Sequence, residues 1–190
     1  MRSLAKILFI SYVIAFVLSG CRAPEKLSQK YYHDHQSELQ QINAAYNSLC
    51  NKQAFILNFT DDRYKKYSLE VSTDSIRYVY NTSVMKFSVA DSIAGFGLDG
   101  KEIKKLGQKM IDSKCICVAR HSFYFNDHEF TANWLFFKQV HSGMFKESRY
   151  HVLIFFNEPL TADVRKEFIE RRELVQLENN VFYTVSNRFK

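Results

Sequence analysis

The sequence predicts an α+β fold with a mainly antiparallel sheet, an N-terminal amphipathic helix and two further helices packed on the sheet. In two segments apolar residues recur every three or four positions, which is the period of a helix, and a third, charged helix follows a proline. Elsewhere apolar residues alternate with polar ones, or form short aromatic runs between turn residues. Because these helices are inserted between groups of strands, an antiparallel sheet is favoured over a parallel one.

The first helix is predicted from Ser28 onward. Its apolar stripe consists of Tyr32, His35, Leu39, Ile42, Tyr46 and Leu49. The spacing resembles a heptad repeat but covers fewer than three heptads. A helix docked on a sheet is therefore favoured over a coiled-coil stalk.

After Cys50 the apolar period changes to two, which indicates strands. We expect four of them, at residues 55–59, 67–71, 76–80 and 85–89. Asp61-Asp62 and Thr73-Asp74-Ser75 supply turn residues between strands. The segment is predicted to be an antiparallel meander with one solvated face.

Asp99 to Glu102 opens the second helix with an acidic variant of the capping box. The apolar stripe of this helix is Ile103, Leu106, Met110 and Ile111. Three long aromatic strands are predicted next, at residues 115–125, 130–140 and 150–156, with turns at Asn126-Asp127-His128 and Ser142-Gly143. A charged helix then runs to Arg172, and residues 174–177 and 181–185 form a last hairpin around Asn179-Asn180.

The N-terminus has the three parts of a secretory signal. Arg2 and Lys6 form a charged region, residues 7–18 form an apolar region, and the small pair Ser19 and Gly20 ends it. A membrane-spanning helix needs about 20 apolar residues. Because the polar residues 22–29 follow too soon, a spanning helix is disfavoured.

Leu18-Ser19-Gly20-Cys21 resembles the lipobox of bacterial lipoproteins, in which an aliphatic residue and two small residues precede a cysteine. The resemblance covers the first 21 residues only. It implies cleavage between Gly20 and Cys21, a diacylglyceryl group on the Cys21 sulfur and usually acylation of the new amino group. Two or more acyl chains hold a domain stably on its membrane leaflet.

The predicted organisation is a cleaved signal peptide at residues 1–20, a lipidated tether at residues 21–27 and one globular domain at residues 28–190. Removal of 20 residues from 190 leaves 170, enough for one core. Loss of Arg2 and Lys6 lowers the net charge from +6 to +4, which favours adhesion to anionic lipid or glycan. Nucleic acid is not an expected partner of an exported chain. Arg22 takes the place of the aspartate that retains some lipoproteins at the inner membrane, which favours the outer membrane.

Three cysteines remain after Cys21. In an extended strand Cys115 and Cys117 share a face, with poor geometry for a mutual disulfide. Cys50 could form a disulfide with Cys115 or Cys117 in an oxidising compartment. An alternative that the sequence supports equally is that all three are buried, unpaired thiols. A thiol enzyme needs a histidine close to its cysteine. His121 lies too far from Cys117 along the same strand, so the histidine would have to come from another strand.

Several motifs are predicted to be structural, and no metal or cofactor is expected. The glycine pattern at residues 95–100 fits the dinucleotide fingerprint, but Asp99 would repel a pyrophosphate at the helix start. His33 and His35 diverge on a helix. His128-Glu129 lacks the continuation of a zinc protease motif.

The sequence therefore predicts a lipid-anchored envelope protein with a non-catalytic domain that binds a protein, peptide or glycan. The alternative is an envelope hydrolase or thiol oxidoreductase that uses Cys115 or Cys117. A constitutive accessory of a larger envelope complex is a third interpretation.

Overall fold

A computed structural model describes residues 23–61, 63–83, 93–142, 147–172 and 174–186. The predicted signal peptide, the predicted strand at residues 85–89 and Gly143 of a predicted turn lie outside these ranges. No described helix has the length and apolar character needed to cross a membrane.

The described part contains one sheet of eight strands. They are β1 (Phe55–Phe59), β2 (Lys66–Ser72), β3 (Arg77–Ser83), β4 (Cys117–Phe125), β5 (His128–Ser142), β6 (Glu147–Phe156), β7 (Val175–Glu178) and β8 (Val181–Ser186). Their order across the sheet is β3-β2-β1-β4-β5-β6-β8-β7. Every strand pair is antiparallel, so the predicted α+β class with a mainly antiparallel sheet is confirmed.

Four helices lie entirely within the described residues. They are α1 (Ala23–Asp34), α2 (Gln36–Cys50), α3 (Gly100–Asp112) and α4 (Ala162–Arg172). The single N-terminal helix predicted from Ser28 is instead two helices. The break falls at His35, whose backbone (φ −126°, ψ 19°) is not helical. The predicted apolar stripe is buried on both sides of this break, at Tyr32, Leu39, Ile42, Tyr46 and Leu49.

Helices α1, α2 and α3 cover one face of the sheet, which we call the first face. Leu57, Leu135 and Leu153 from three strands share a buried cluster with Leu39 of α2 and Leu106 of α3. Full burial of each such side chain contributes about 1.5–3 kcal/mol. Helix α3 begins as predicted, because the Asp99 side chain accepts a hydrogen bond from the backbone N–H of Lys101 at 2.8 Å.

Helix α4 covers part of the opposite, second face. Val164 and Phe168 of α4 pack with Phe130, Phe156 and Phe182 of the sheet. These aromatic contacts explain how a helix with few apolar residues stays docked, since large rings bury large areas.

The strand connections follow the predicted turn residues. Asn126 and Asp127 both have positive φ, 48° and 63°, and Phe125 pairs with His128. This is a two-residue hairpin of the kind that asparagine and aspartate favour. His128, which was predicted to be a third turn residue, is instead the first residue of β5. The predicted hairpin around Asn179-Asn180 is also present, between β7 and β8.

Candidate functional site

The predicted lipidation site Cys21 and the cleavage position after Gly20 lie outside the described residues, so both remain predictions. Helix α1 begins at Ala23, within the range predicted to be a tether. Only Arg22 separates this helix from Cys21 in the sequence.

Several contacts fix helix α1 to the body of the domain, and three of them involve Ser28 and Tyr31. The Ser28 Oγ and His151 Nδ1 atoms lie 3.0 Å apart, the Tyr31 ring stacks on Phe137 with 3.8 Å between centroids, and the Tyr31 hydroxyl donates to the Ser113 carbonyl at 2.6 Å. A serine and histidine pair is also found in hydrolases. Here Ser28 is 0% and His151 4% exposed, so a substrate has no access and the contact attaches α1 to β6.

The three cysteines of the described part are buried, free thiols. Cys115 precedes β4 and belongs to the cluster under α1–α3, together with Cys50, whereas Cys117 belongs to the cluster on the second face. The expectation that Cys115 and Cys117 share one strand face is wrong, because the strand begins only at Cys117. A disulfide of Cys50 with Cys115 or Cys117 remains a prediction for oxidised protein.

Burial makes the thiols of Cys115 and Cys117 poor nucleophiles. It raises the pKa of Cys115 to about 12 and the pKa of Cys117 well above its ordinary value. The reactive species is the thiolate, and it is scarce at neutral pH when the pKa is raised. The chemistry of a thiol enzyme is therefore disfavoured at both positions in the folded state.

The described histidines are dispersed. His33 is exposed on α1, and His35 lies at the helix break. His121 lies against Trp134, with 4.4 Å between ring centroids, and burial lowers its pKa. His128 Nε2 lies 3.2 Å from a Glu158 carboxylate oxygen. Within the described ranges no three His, Cys, Asp or Glu residues are grouped as a metal site would require.

A polar cluster that the sequence did not predict surrounds Arg120 on the first face. The Arg120 Nε donates to Asn133 Oδ1 at 3.2 Å, Nη1 to Asn51 Oδ1 at 3.2 Å and Nη2 to Asn47 Oδ1 at 2.6 Å. The guanidinium lies 6.0 Å from the ring centroid of Tyr46. None of the ion pairs found in the described part involves Arg120, so neutral amides provide its contacts.

Asn133 is the centre of this cluster and is 0% exposed. Its Nδ2 donates to Asn43 and Asn47, both at 2.7 Å, and lies 3.3 Å from Asn157 Oδ1. Asn133 pairs with Arg120 across β4 and β5, while Asn43, Asn47 and Asn51 recur every fourth residue along and just beyond α2. The cluster thus ties α2 to the middle of the sheet. Amides and guanidinium do not exchange protons at neutral pH, so it offers no acid–base chemistry.

The two edge strands of the described sheet differ in the side-chain contacts that other elements make with them. At the β7 edge, the Glu178 carboxylate accepts hydrogen bonds from the Tyr32 hydroxyl at 2.8 Å and the Gln36 amide at 2.6 Å. Strand β7 has only four residues, and its register shifts between Gln176 and Glu178. This edge is short, irregular and held by the N-terminal helices.

At the β3 edge, seven consecutive residues pair with β2 in one continuous register. Five large apolar side chains of the described part are exposed, and three of them lie at this edge: Ile76 (54%), Tyr78 (37%) and Val79 (51%). A cluster of exposed apolar side chains is typical of an interaction surface. The β3 edge is therefore the candidate functional site.

Comparison of the chain with protein-family models, with curated proteins and with solved structures found no match.

Proposed function

We propose that this protein is a lipid-anchored bacterial envelope lipoprotein whose globular domain is non-catalytic and binds a protein, peptide or glycan at the membrane surface. The lipobox residues Leu18 to Cys21 support the anchor. The start of α1 at Ala23 supports a short distance between anchor and domain, because this helix is fixed to the sheet. Two or more acyl chains make such attachment stable.

The exposed apolar group at the β3 edge is the single observation that carries the binding role. Scattered apolar side chains on a surface need no explanation. Three within four residues, at a strand that ends the sheet of the described residues, indicate an interaction surface. Arg22, in the position after the lipidated cysteine, favours the outer membrane. A constitutive partner would make the protein an accessory of a larger complex, which crosslinking in intact cells would reveal.

The alternative is an envelope hydrolase or thiol oxidoreductase that uses Cys115 or Cys117. The burial of both thiols and their raised pKa values argue against it. Rapid labelling of either cysteine by iodoacetamide in the folded protein would favour the enzyme.

The intact mass of the protein extracted from its native membrane tests the anchor. We expect loss of residues 1–20 and the added mass of acyl chains, and we expect neither in a Cys21→Ser variant. An uncleaved or unlipidated wild-type chain would refute the lipoprotein assignment. Alkylation of the denatured protein with and without prior reduction, on the same sample, counts the free thiols and tests the disulfide of Cys50.

A further inference from the structure

We propose that the Arg120 cluster is a second binding site, which takes an acidic saccharide through its carboxylate. The site is built from β4, β5 and α2, so it is separate from the β3 edge and goes beyond the function proposed above. Its basis is the direction of the side-chain hydrogen bonds, which leaves a cation and a row of donors without acceptors.

Arg120 fixes the orientation of the amides around it. A guanidinium group only donates hydrogen bonds, so each amide bonded to it must present its oxygen. These amides belong to Asn47, Asn51 and Asn133. The Nδ2 of Asn133 in turn donates to Asn43, which must also present its oxygen. The NH2 groups of Asn43, Asn47 and Asn51 therefore take no part in the bonds of the cluster.

These three NH2 groups form a row of available donors along α2. None of them has a hydrogen-bond partner among the described residues. Asn51 is exposed, and the Nδ2 atoms of Asn43 and Asn47 are not among the buried unpaired atoms of the described part, so they reach solvent. Residues four apart are separated by about 6 Å along a helix, so the row is about 12 Å long.

Arg120 adds a positive charge that no ion pair of the described part neutralises. One N–H of Nη1 and one of Nη2 remain beyond the bonds to Asn51 and Asn47. The bond from Nη1 to Asn51 is exposed, so this end of the guanidinium is open to a ligand. A single cation among neutral amides matches the single charge of a carboxylate better than a phosphate monoester, which carries nearly two.

The row of amides indicates that the ligand has more acceptors than one carboxylate. A carboxylate at Arg120 covers only part of a row about 12 Å long, and the hydroxyl oxygens of a saccharide can accept from the rest. Protein partners usually depend on aromatic or aliphatic anchors. None of the large apolar side chains exposed in the described part belongs to this cluster. An acidic saccharide therefore fits the site better than a polypeptide.

The test begins with the full chain purified in detergent and applied to an array of saccharides and peptides. The saccharides carry a carboxylate, a sulfate, a phosphate or no acidic group, and the peptides are rich in aspartate and glutamate. We expect binding to carboxylated saccharides in preference to all the others. The affinity of the best-bound saccharide is then measured in solution by calorimetry for the wild type and three variants.

The decisive variant is Asn51→Asp. It keeps the oxygen that accepts from Arg120, removes one donor of the row and places a carboxylate beside the guanidinium. We expect unchanged or higher stability in urea, but at least about tenfold weaker binding, because the cation is then neutralised within the protein. A purely structural role of the cluster would not separate stability from binding in this way.

Two further variants complete the comparison. Arg120→Gln removes the cation and should also weaken binding at least about tenfold. Asn126→Asp makes the same chemical change as Asn51→Asp at an exposed turn, six residues from Arg120 and about 20 Å away along an extended strand. It should leave the affinity unchanged within about twofold, since charges this far apart are screened. If Arg120→Gln fails to fold, Asn51→Asp decides the result.

Absence of binding to every carboxylated saccharide would overturn the proposal. So would a preference for neutral, sulfated or phosphorylated saccharides or for the acidic peptides, because the ligand class would then be different. Equal affinities of Asn51→Asp and Asn126→Asp would show that the saccharide binds elsewhere. None of these results bears on the β3 edge, since no variant changes that strand.

Discussion

The two edge strands of the described sheet, β7 and β3, differ in length, in register and in the contacts that cover them. Strand β7 has four residues, a shifted register and a carboxylate, on Glu178, that holds Tyr32 and Gln36 from the N-terminal helices. Strand β3 has seven residues in unbroken register and exposed apolar side chains. Unpaired strand edges are a liability that proteins normally cover. The difference indicates that the β7 edge serves the fold, and it is the reason for proposing that the β3 edge serves an interaction.

The largest loss of stability is expected from the Arg120 cluster in the middle of the sheet, and losses at the two edges are compared with it. Asn133→Ala should lower the free energy of unfolding by about 3 kcal/mol, because it removes the acceptor of the partially buried Arg120 Nε and the donor to the Asn43 amide oxygen. The Asn47 oxygen loses one of its two donors and keeps Arg120 Nη2. Urea denaturation measures the loss. Asn43→Ala, which breaks one of these contacts, is the control and should cost about 1 kcal/mol. Equal losses would show that the cluster does not act through Asn133.

At the β7 edge a somewhat smaller loss is expected. Glu178→Ala should lower the free energy of unfolding by about 2 kcal/mol, since it leaves the buried Tyr32 hydroxyl without its acceptor. Glu178→Gln retains an acceptor oxygen and should lose about half as much. A change below about 0.5 kcal/mol in Glu178→Ala would mean that this edge is not held by the carboxylate.

The same contact predicts sensitivity to alkaline pH. Burial, together with the hydrogen bond to Glu178, raises the pKa of Tyr32 to about 12. In the unfolded chain tyrosine loses its proton near pH 10. The folded state thus retains a proton that the unfolded state has lost, so stability is complete below about pH 10 and falls as the pH rises toward 12. Denaturation midpoints at pH 8 and pH 11 measure the fall, and Tyr32→Phe should reduce it.

The smallest effect on stability is expected at β3. Val79→Thr should change the free energy of unfolding by less than about 0.5 kcal/mol, because the side chain is half exposed and threonine also favours strands. Urea denaturation of Val79→Thr and of Glu178→Ala, measured in parallel, compares the loss of stability at the two edges. A loss comparable to that of Glu178→Ala would indicate that β3 is part of the core and not a free edge.

Local signals predicted most of the elements correctly. The cap at Asp99, the turn at Asn126-Asp127 and the alternation in β1 depend on neighbouring residues, and the structure confirms them. In β2 the alternation is interrupted, because Ser68 is buried between Tyr67 and Leu69. The break at His35 was not predicted, because the apolar stripe continues on both sides of it. Periodicity reports which side chains are buried, not whether the backbone is continuous.

The Arg120 cluster and the two edges could not be predicted in the same way. Arg120 meets Asn47 across 73 positions of sequence, and Tyr32 meets Glu178 across 146. Such contacts depend on the order of the strands in the sheet, and local sequence patterns do not predict that order. The repeat of asparagine at positions 43, 47 and 51 was the one available signal, since residues four apart share a helix face.

Hydrogen exchange of the unliganded full chain, resolved to single amides by NMR, tests whether the β3 edge is free of pairing. We expect fast exchange at Val79 and Asn81, whose N–H groups point outward, and exchange at least about tenfold slower at Tyr78 and Tyr80, whose N–H groups point toward β2. Equal protection of all four amides would show that another part of the chain already covers β3, and would contradict the assignment of this edge as a binding site.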